Sequence, residues 1–349
     1  LPDSHSSSVL NEEQRKVFAS FVSGANLYIT GKGGSGKSFL TRHIIDYCHQ
    51  KERKVLICAP TGIAALNIGG ATIHRTFGAP TSIIEPGERC RKKNLLEIID
   101  AAEVIIIDEI SMCRIDLFEY VANTLLHMKN RKQLVLVGDF YQLPPVLTPK
   151  DSKAFSAFYG DRLYAFESEL WQKLQLQTME LQCSMRQKDK IFIKTLDNIR
   201  EGIPDFSVFK NRSSDPMALT ICGTNDEADK INKENLNWLK KQGAKISKVE
   251  AKVTGTIESS EKPTDEVLTL CPGAKVVMLN NDKNNTWVNG SFGTIIGIKD
   301  NELKIRIEDN GSEVSVERHK WTYLEYDVET TEDGKKKLVT KERGLFEQY

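Results

Sequence analysis

The sequence feature that most constrains the fold is a glycine-rich segment, GKGGSGKS, at Gly31–Ser38. A short apolar stretch, Asn26–Thr30, precedes it, and a helical pattern from Ser38 to Gln50 follows it. Glycines let backbone N–H groups approach a phosphate closely, and the start of a helix directs its positive dipole end at the same group. The order of strand, loop and helix therefore predicts a nucleotide-binding P-loop rather than a glycine turn without a ligand.

The residues of this loop have separate expected roles. Lys37 is expected to reach the β- and γ-phosphates of ATP, and Ser38 is expected to ligate a Mg²⁺ ion. Further contacts to the nucleotide are expected from Gly33, Gly34, Ser35 and Gly36. ATP and Mg²⁺ are therefore the predicted cofactors of the chain.

Three further apolar runs predict buried strands of a parallel sheet. They are Lys54–Ala59, Val104–Ile107 and Gln133–Val137. Each run is continuous rather than alternating, as expected for strands with helices packed on both faces. Helical patterns separate the runs, at Ile63–Ile68, Asn94–Asp100 and Ile115–Met128. Strands that alternate with helices predict an α/β fold.

Polar side chains follow two of these strands. Asp108 and Glu109 come directly after Val104–Ile107, so both carboxylates are expected at the carboxyl edge of the sheet, beside the glycine-rich loop. Asp108 is expected to hold Mg²⁺, and Glu109 to orient and activate the attacking water. Gln142 follows the next strand, in the segment GDFYQLPP, and its amide can sense the γ-phosphate. Paired carboxylates beside a phosphate loop favour nucleotide hydrolysis over nucleotide storage.

Two segments after the second strand carry groups that suit single-stranded nucleic acid. Thr61 and Gly62 lie where a strand meets a helix, so exposed N–H groups there can contact a backbone phosphate. His74 and Phe77 add an imidazole and an aromatic ring a few residues later. Phosphate contacts combined with base stacking are typical of single-strand binding. From chemistry alone, His74 as a structural histidine and Phe77 as a core residue remain open alternatives.

Composition limits the class of protein but does not identify a partner. The chain has 48 Lys and Arg residues against 48 Asp and Glu residues, so net charge gives no indication of a nucleic-acid ligand. Its seven cysteines are far apart and show no zinc-site spacing, which favours reduced thiols in an intracellular protein. No apolar run approaches membrane-spanning length, so no membrane association is expected.

The second half of the sequence begins a new pattern after residue 175. Strands are predicted at Leu176–Gln182 and Ala218–Cys222, and helices at Asp189–Glu201 and Asp226–Gln242. From about residue 294 the pattern changes to short strands, and the pairs Asn310-Gly311 and Asp333-Gly334 predict hairpin turns.

Five motifs occur in an order that resembles the Pif family of superfamily 1B DNA helicases, relatives of the RecD-type helicases. They are GKGGSGKS, APTGIAALNIGGATIHRTFG, IIIDEISM, LVGDFYQLPPV and SMRQ. The resemblance implies a P-loop NTPase with two RecA-like parallel-sheet domains and a small SH3-like all-β accessory domain. The implied divisions are a disordered lead-in at 1–10, a first RecA-like domain at 11–175 with a small insertion around 72–93, an incomplete second RecA-like domain at 176–293, and the SH3-like domain at 294–349.

The resemblance also implies roles for particular residues. Gln14 would contact the adenine, and Arg186 would reach the γ-phosphate from the second domain. The residues near the DNA strand would be Thr61, Gly62, His74 and Phe77. Two later family motifs, a T-I-H-K-[SA]-Q-G-like segment and a closing arginine motif, are not found before Tyr349. We therefore expect a truncated chain whose second domain lacks its last strands and one arginine finger.

The implied function is ATP-driven translocation along single-stranded DNA, 5′ to 3′, with unwinding of duplexes in DNA repair, recombination and genome or telomere maintenance. Single-stranded and forked DNA are the expected partners of a monomeric protein. The expected location is the bacterial cytoplasm at the nucleoid, or a eukaryotic nucleus or mitochondrion. The alternatives are an ATP-gated nucleic-acid-binding switch and a motor directed to RNA.

Overall fold

The computed structural model describes residues 10–183, 185, 187, 189–203, 206, 208, 218–280, 282, 286–287, 290–299, 302–308, 310–330 and 336–349. The chain divides into two compact units. The first unit contains Leu1–Pro204 and Leu324–Glu342, and the second contains Asp205–Tyr323 and Arg343–Tyr349. None of the helices formed by the described residues is both long enough and apolar enough to cross a membrane.

A six-stranded sheet forms the centre of the first unit. Its strands are β1 (Leu27–Gly31), β2 (Val55–Ala59), β3 (Ala71–Thr72), β4 (Val104–Ile107), β5 (Gln133–Val137) and β6 (Gln177–Leu181). The strand order is β3-β2-β4-β5-β1-β6, and every pairing is parallel. Strands β2, β4 and β5 are buried along their whole length, which confirms the three strands predicted from continuous apolar runs.

The described part of the first unit contains nine α-helices. They are α1 (Glu12–Val22), α2 (Lys37–Gln50), α3 (Gly62–Ile68), α4 (Ile73–Phe77), α5 (Lys93–Ala101), α6 (Ile115–Leu126), α7 (Pro149–Tyr159), α8 (Glu169–Lys173) and α9 (Lys190–Arg200). Residues of the sheet contribute to two large apolar clusters, one with helices such as α1 and α2 and the other with helices such as α4 and α6. This layered arrangement confirms the α/β fold class.

The prediction that Leu176–Gln182 opens the second domain is wrong. Strand β6 pairs in parallel with β1, from Leu27 opposite Gln177 to Gly31 opposite Leu181, so it is the edge strand of the first sheet. Most residues of β6 are exposed, as an edge position allows, and this polar pattern differs from the apolar runs of the central strands. The first unit therefore continues past residue 175 and includes α9.

In the described part of the second unit, the long helix α10 (Asn225–Lys241) precedes a series of antiparallel strands. The strands that follow are β7 (Ser247–Glu250), β8 (Lys252–Gly255), β9 (Val267–Leu270), β10 (Lys275–Val277), β11 (Phe292–Lys299), β12 (Glu302–Ile307), β13 (Glu313–Val316), β14 (His319–Thr330) and β15 (Lys336–Gln348). They form sheets of order β10-β11-β12-β13, β14-β15-β8 and β7-β9. The parts of β14 and β15 that fall within Leu324–Glu342 belong to the first unit.

Two expectations for this half of the chain are corrected. Ala218–Cys222 is not a strand: Ile221 is 92% exposed, and no described strand pairs with this segment to form a second parallel sheet. The β structure begins at Ser247 rather than at 294, because β7 to β10 precede the predicted start. The turn at Asn310-Gly311 is confirmed by the antiparallel pairing of β12 with β13, whereas Asp333-Gly334 lies outside the described residues.

Candidate active site

The glycine-rich loop joins β1 to α2 and forms the centre of the candidate site. At Gly31, φ is +144°, and a Cβ atom would lie 2.3 Å from the carbonyl oxygen of Leu181 in β6. At Gly36, φ is +90°, and a Cβ atom would lie 2.6 Å from Nε2 of Gln14. Both positions therefore require glycine, and the loop between them presents its backbone at the start of α2, where an anion is favoured.

Lys37 places its ammonium group inside this loop. Its Nζ donates to the carbonyl oxygens of Gly31, at 2.6 Å, and Lys32, at 3.2 Å. Burial lowers the pKa of Lys37, and the charges of Asp139 and Glu109 act in the opposite direction. The ammonium therefore lies close to the carboxylates that follow β4 and β5. A nucleotide phosphate at this position would be a stronger hydrogen-bond partner than the loop carbonyls.

Asp108 and Glu109 follow β4 and lie on the carboxyl edge of the sheet. Burial, together with the charge of Glu109, raises the pKa of Asp108 from an ordinary 3.8 to about 6. The backbone N–H of Glu109 donates to Oδ1 of Asp108 at 3.0 Å, and Glu109 itself has a φ of +52°, which is uncommon for a residue with a side chain. Such local strain is concentrated at functional sites.

The residues present fit a Mg²⁺ ion. A partly buried carboxylate next to a second carboxylate is stabilised by a cation, and Asp108 is in this situation. Ser38 is exposed in the first turn of α2, so its hydroxyl is open to a ligand. The described residues contain no cluster of three or more His, Cys, Asp or Glu side chains able to hold a metal. Mg²⁺ often takes only one or two protein ligands and completes its shell with phosphate and water.

The carboxylate of Asp139, which the sequence did not indicate as functional, holds Gln142. Its Nε2 donates to Oδ2 of Asp139 at 3.0 Å. Asp139 is 1% exposed and also accepts both terminal nitrogens of Arg200, at 2.6 and 2.7 Å. Gln142, which is expected at the γ-phosphate, is therefore joined through Asp139 to α9, which ends at Arg200.

Gln14 lies next to the end of the same loop, at Gly36. It belongs to the N-terminal cap of α1: the backbone N–H of Gln14 donates to Oδ1 of Asn11 at 2.8 Å, and Oε1 of Gln14 accepts from the N–H of Asn11 at 3.1 Å. Its Nε2 donates to the carbonyl oxygen of Gly36 at 3.4 Å. The structure therefore brings Gln14 to the loop, and its contact with adenine stays a prediction.

Arg186 lies outside the described residues, whereas the neighbouring Met185 and Cys183 have described backbone hydrogen bonds. The backbone N–H of Met185 donates to the carbonyl oxygen of Gly34 at 2.8 Å. Two residues earlier, the N–H of Cys183 donates to Oε2 of Glu13 at 3.2 Å. Of the remaining loop positions, Gly33 is exposed, and Ser35 is buried with no hydrogen-bond partner for its hydroxyl among the described residues.

The four residues proposed for DNA contact differ in their position and burial. Thr61 caps α3, its hydroxyl accepting the N–H of Ala64 at 3.3 Å, and Gly62 begins that helix, so both lie at the carboxyl end of β2. His74 is half-buried in α4. Phe77 is 0% exposed and belongs to the apolar core, so its ring is not available to stack on a base. For Phe77 the stacking prediction is wrong, and the core alternative is correct.

Two ion pairs complete the site, and the sequence did not reveal them as functional. The first joins Asp139 to Arg200. Lys32, inside the glycine-rich loop, pairs with Asp197 of α9 at 2.8 Å. Asp139 had a local signal, since it lies in the segment that carries Gln142. Arg200 and Asp197 had none, because their partners are 61 and 165 positions away in the chain.

The chain is similar to known proteins in both sequence and structure. The family model described as PIF1-like helicase matches residues 9–209. The ATP-dependent DNA helicase Pif1 of Bdellovibrio bacteriovorus is 32% identical over 333 residues, which cover 88% of this chain and 72% of that protein.

Solved structures of a Bacteroides Pif1 are similar over nearly the whole chain. The crystal structure in complex with ADP-AlF4 has a TM-score of 0.83 at 30% identity, and the alignment covers 97% of this chain and 80% of the other. The structure bound to single-stranded DNA has a TM-score of 0.60 at 29% identity, with the same coverage. The glycine loop, the acidic pair and the glutamine segment all lie within the matched range, and the chain belongs to the PIF1-like helicase family.

Proposed function

We propose that this chain is an ATP-dependent DNA helicase that moves 5′ to 3′ along single-stranded DNA and unwinds duplexes from forks. The observation that carries this proposal is the convergence of Lys37, Asp108, Glu109 and Gln142 on one edge of the parallel sheet. The Bdellovibrio relative is named an ATP-dependent DNA helicase, and the Bacteroides relative has been solved with single-stranded DNA.

Each residue of the site has a defined task in ATP hydrolysis. Lys37 neutralises charge on the transferred phosphate, and its buried position strengthens that interaction. Glu109 orients the attacking water and accepts its proton. Gln142 senses the γ-phosphate with the free part of its amide. A Mg²⁺ ion held by Ser38 and Asp108 supplies further charge stabilisation to the phosphates when it is bound.

The DNA strand is assigned to the carboxyl ends of β2 and β3, next to Thr61, Gly62 and His74. Thr61 and Gly62 start a helix, where backbone N–H groups favour a phosphate of the strand. Further parts of the proposal are action as a monomer, a role in repair, recombination and telomere or genome maintenance, and a location at the nucleoid, in the nucleus or in mitochondria.

The test is ATP hydrolysis measured with and without single-stranded DNA. We expect Lys37→Ala and Glu109→Gln each to lower DNA-stimulated hydrolysis by about 100-fold or more while single-strand binding is retained. Lys51→Ala, at the exposed position directly after the helix that begins at Lys37, serves as the matched control and is expected to keep wild-type activity. DNA-stimulated turnover that survives either substitution would refute the proposed site.

Further measurements separate the alternatives. Slow hydrolysis that DNA does not stimulate would indicate an ATP-gated switch, and preferential competition by RNA of the same sequence would indicate an RNA motor. Unwinding of a duplex with a 5′ tail but not of one with a 3′ tail is the expected polarity. Light scattering with and without forked DNA tests the monomeric state.

A further inference from the structure

Helix α9 holds the carboxylate that binds Gln142, although none of the nucleotide motifs includes this helix. We propose that Arg200 is a positioning residue for ATP hydrolysis, which fixes the Gln142 amide through Asp139. This inference rests on the proposed function, because it assigns a task within the same hydrolysis reaction. Three observations support it: the hydrogen bonds of Asp139, the contact of Arg200 with the Tyr141 ring, and the ion pair of Asp197 with Lys32.

Asp139 has no capacity left to bind a ligand. Its Oδ2 accepts from Nη1 of Arg200 at 2.6 Å and from Nε2 of Gln142 at 3.0 Å. Its Oδ1 accepts from Nη2 of Arg200 at 2.7 Å and from the backbone N–H of Tyr141 at 3.1 Å. A carboxylate offers about four acceptor positions, so these four donors saturate it. Asp139 therefore acts on the reaction through the groups it holds and not by touching nucleotide or metal.

The consequence for Gln142 is a fixed amide. One N–H of its side chain is engaged by Asp139, which leaves the second N–H and Oε1 for other partners. The rest of the side chain is exposed, so the Asp139 contact is the restraint that the structure shows. A γ-phosphate needs such a preset donor, since positioning is the main contribution a protein makes to phosphoryl transfer.

Arg200 determines the orientation of Asp139. Its two terminal nitrogens contact both carboxylate oxygens, and this bidentate geometry sets the plane of the carboxylate. The guanidinium also lies 4.1 Å from the centre of the Tyr141 ring. Arg200 thus holds the segment from Asp139 to Gln142 both by ion pairing and by ring contact.

The same helix contacts the glycine-rich loop. Asp197, three residues before Arg200, pairs with Lys32 at 2.8 Å. Residues three apart lie on one face of a helix, so a single face of α9 contacts both the phosphate loop and the glutamine segment. A displacement of α9 would therefore change the two together.

The experiment compares Arg200→Gln, Asp139→Asn and the double variant in steady-state ATP hydrolysis with single-stranded DNA, together with binding of the fluorescent analogue mant-ATP. We expect Arg200→Gln to lower kcat by about 10- to 100-fold, as for a misplaced catalytic group. KM and mant-ATP affinity are expected to change by less than about threefold, because the bond acts in the transition state. The double variant is expected to match the more severe single variant, since the two residues act as one unit.

Two further variants make the result specific. Arg200→Lys keeps the charge but cannot bridge both oxygens, so it is expected to restore kcat only in part. Arg306→Gln removes another arginine that donates two nitrogens to one carboxylate, that of Glu313, on the exposed surface of the second unit. This matched control is expected to keep wild-type kcat.

Several results would overturn the inference. A wild-type kcat in folded Arg200→Gln would show that the bond is not needed, and a raised KM with unchanged kcat would make Arg200 a nucleotide contact. If the loss of kcat in the double variant equals the product of the losses in Arg200→Gln and Asp139→Asn, the two residues have independent roles. If Arg200→Gln unfolds at the assay temperature, Asp139→Asn decides, and wild-type kcat in it refutes the inference. An inactive wild-type chain would instead refute the proposed function.

Discussion

Replacing Phe77 by alanine is expected to destabilise the fold and to leave the DNA affinity of the folded chain unchanged. The ring is 0% exposed and packs in a core cluster that includes Ile73 and Ile105. Burying a phenylalanine removes on the order of 150 Å² or more of surface from water, which at about 25 cal/mol per Å² corresponds to about 4 kcal/mol. With the cavity that remains, the expected loss is about 3–5 kcal/mol.

Phe158 provides the matched control for this prediction. It lies in α7 and is 42% exposed, so the same substitution removes a smaller buried area and leaves no closed cavity. The expected loss for Phe158→Ala is about 1–2 kcal/mol. Stability is measured by urea unfolding, and DNA affinity by the anisotropy of a labelled oligonucleotide at a temperature where both variants are folded.

A small loss of stability combined with a large loss of DNA affinity in Phe77→Ala would refute this reasoning. A loss of stability below about 1 kcal/mol would be typical of a surface substitution. If it were combined with a large loss of DNA affinity, the ring would be a base-stacking residue and not a core residue. The assignment of Phe77 to the core would then be wrong.

Three other substitutions test separate features of the structure. Gly31→Ala places a Cβ atom 2.3 Å from the carbonyl oxygen of Leu181, and the resulting strain of about 1–3 kcal/mol is expected to weaken mant-ATP binding by about tenfold or more. Burial lowers the pKa of His319, so the folded state is expected to lose stability as pH falls below the ordinary value of 6.5 and to lose less in His319→Gln, as measured by thermal unfolding. Arg343→Met leaves the buried carboxylate of Glu261 without its ion-pair partner, and urea unfolding is expected to show a loss of about 3–5 kcal/mol. Wild-type behaviour in any of these three assays would contradict the corresponding contact.

The parts of the fold that could be predicted are those that depend on local sequence. Strands β2, β4 and β5 are continuous apolar runs because both their faces are covered, and that requirement is visible in the residues themselves. The glycine-rich loop is equally local, since its backbone conformation restricts which residues can form it. These elements place Lys37 and Asp108 on one edge of the sheet.

The parts that could not be predicted depend on pairing between distant residues. The sequence places strand β6 in the wrong domain, because its residues do not show that it pairs with β1. The pairing of Arg200 with Asp139 spans 61 positions, and an arginine at the end of a helix is more often a surface residue than an ion-pair partner. The stacking prediction for Phe77 is wrong for a related reason. An aromatic residue near a binding loop has the same sequence pattern whether it faces DNA or the core.

The charged groups of the site differ in how many hydrogen bonds and opposite charges the protein supplies to them. This difference indicates which groups are structural and which are suited to a ligand. Burial alone would raise the pKa of Asp139, but hydrogen bonds from Arg200 and Gln142 outweigh it and lower the pKa. Asp108 has no such set of donors, and burial with a neighbouring carboxylate raises its pKa to about 6. Lys37 is also destabilised by burial and has loop carbonyls as hydrogen-bond partners. A charge whose partners are complete belongs to the scaffold, whereas a charge left incompletely compensated gains most from a ligand. By this criterion Asp139 and Arg200 belong to the scaffold, and Asp108 and Lys37 are the groups that would gain most from the nucleotide and metal of the proposed function.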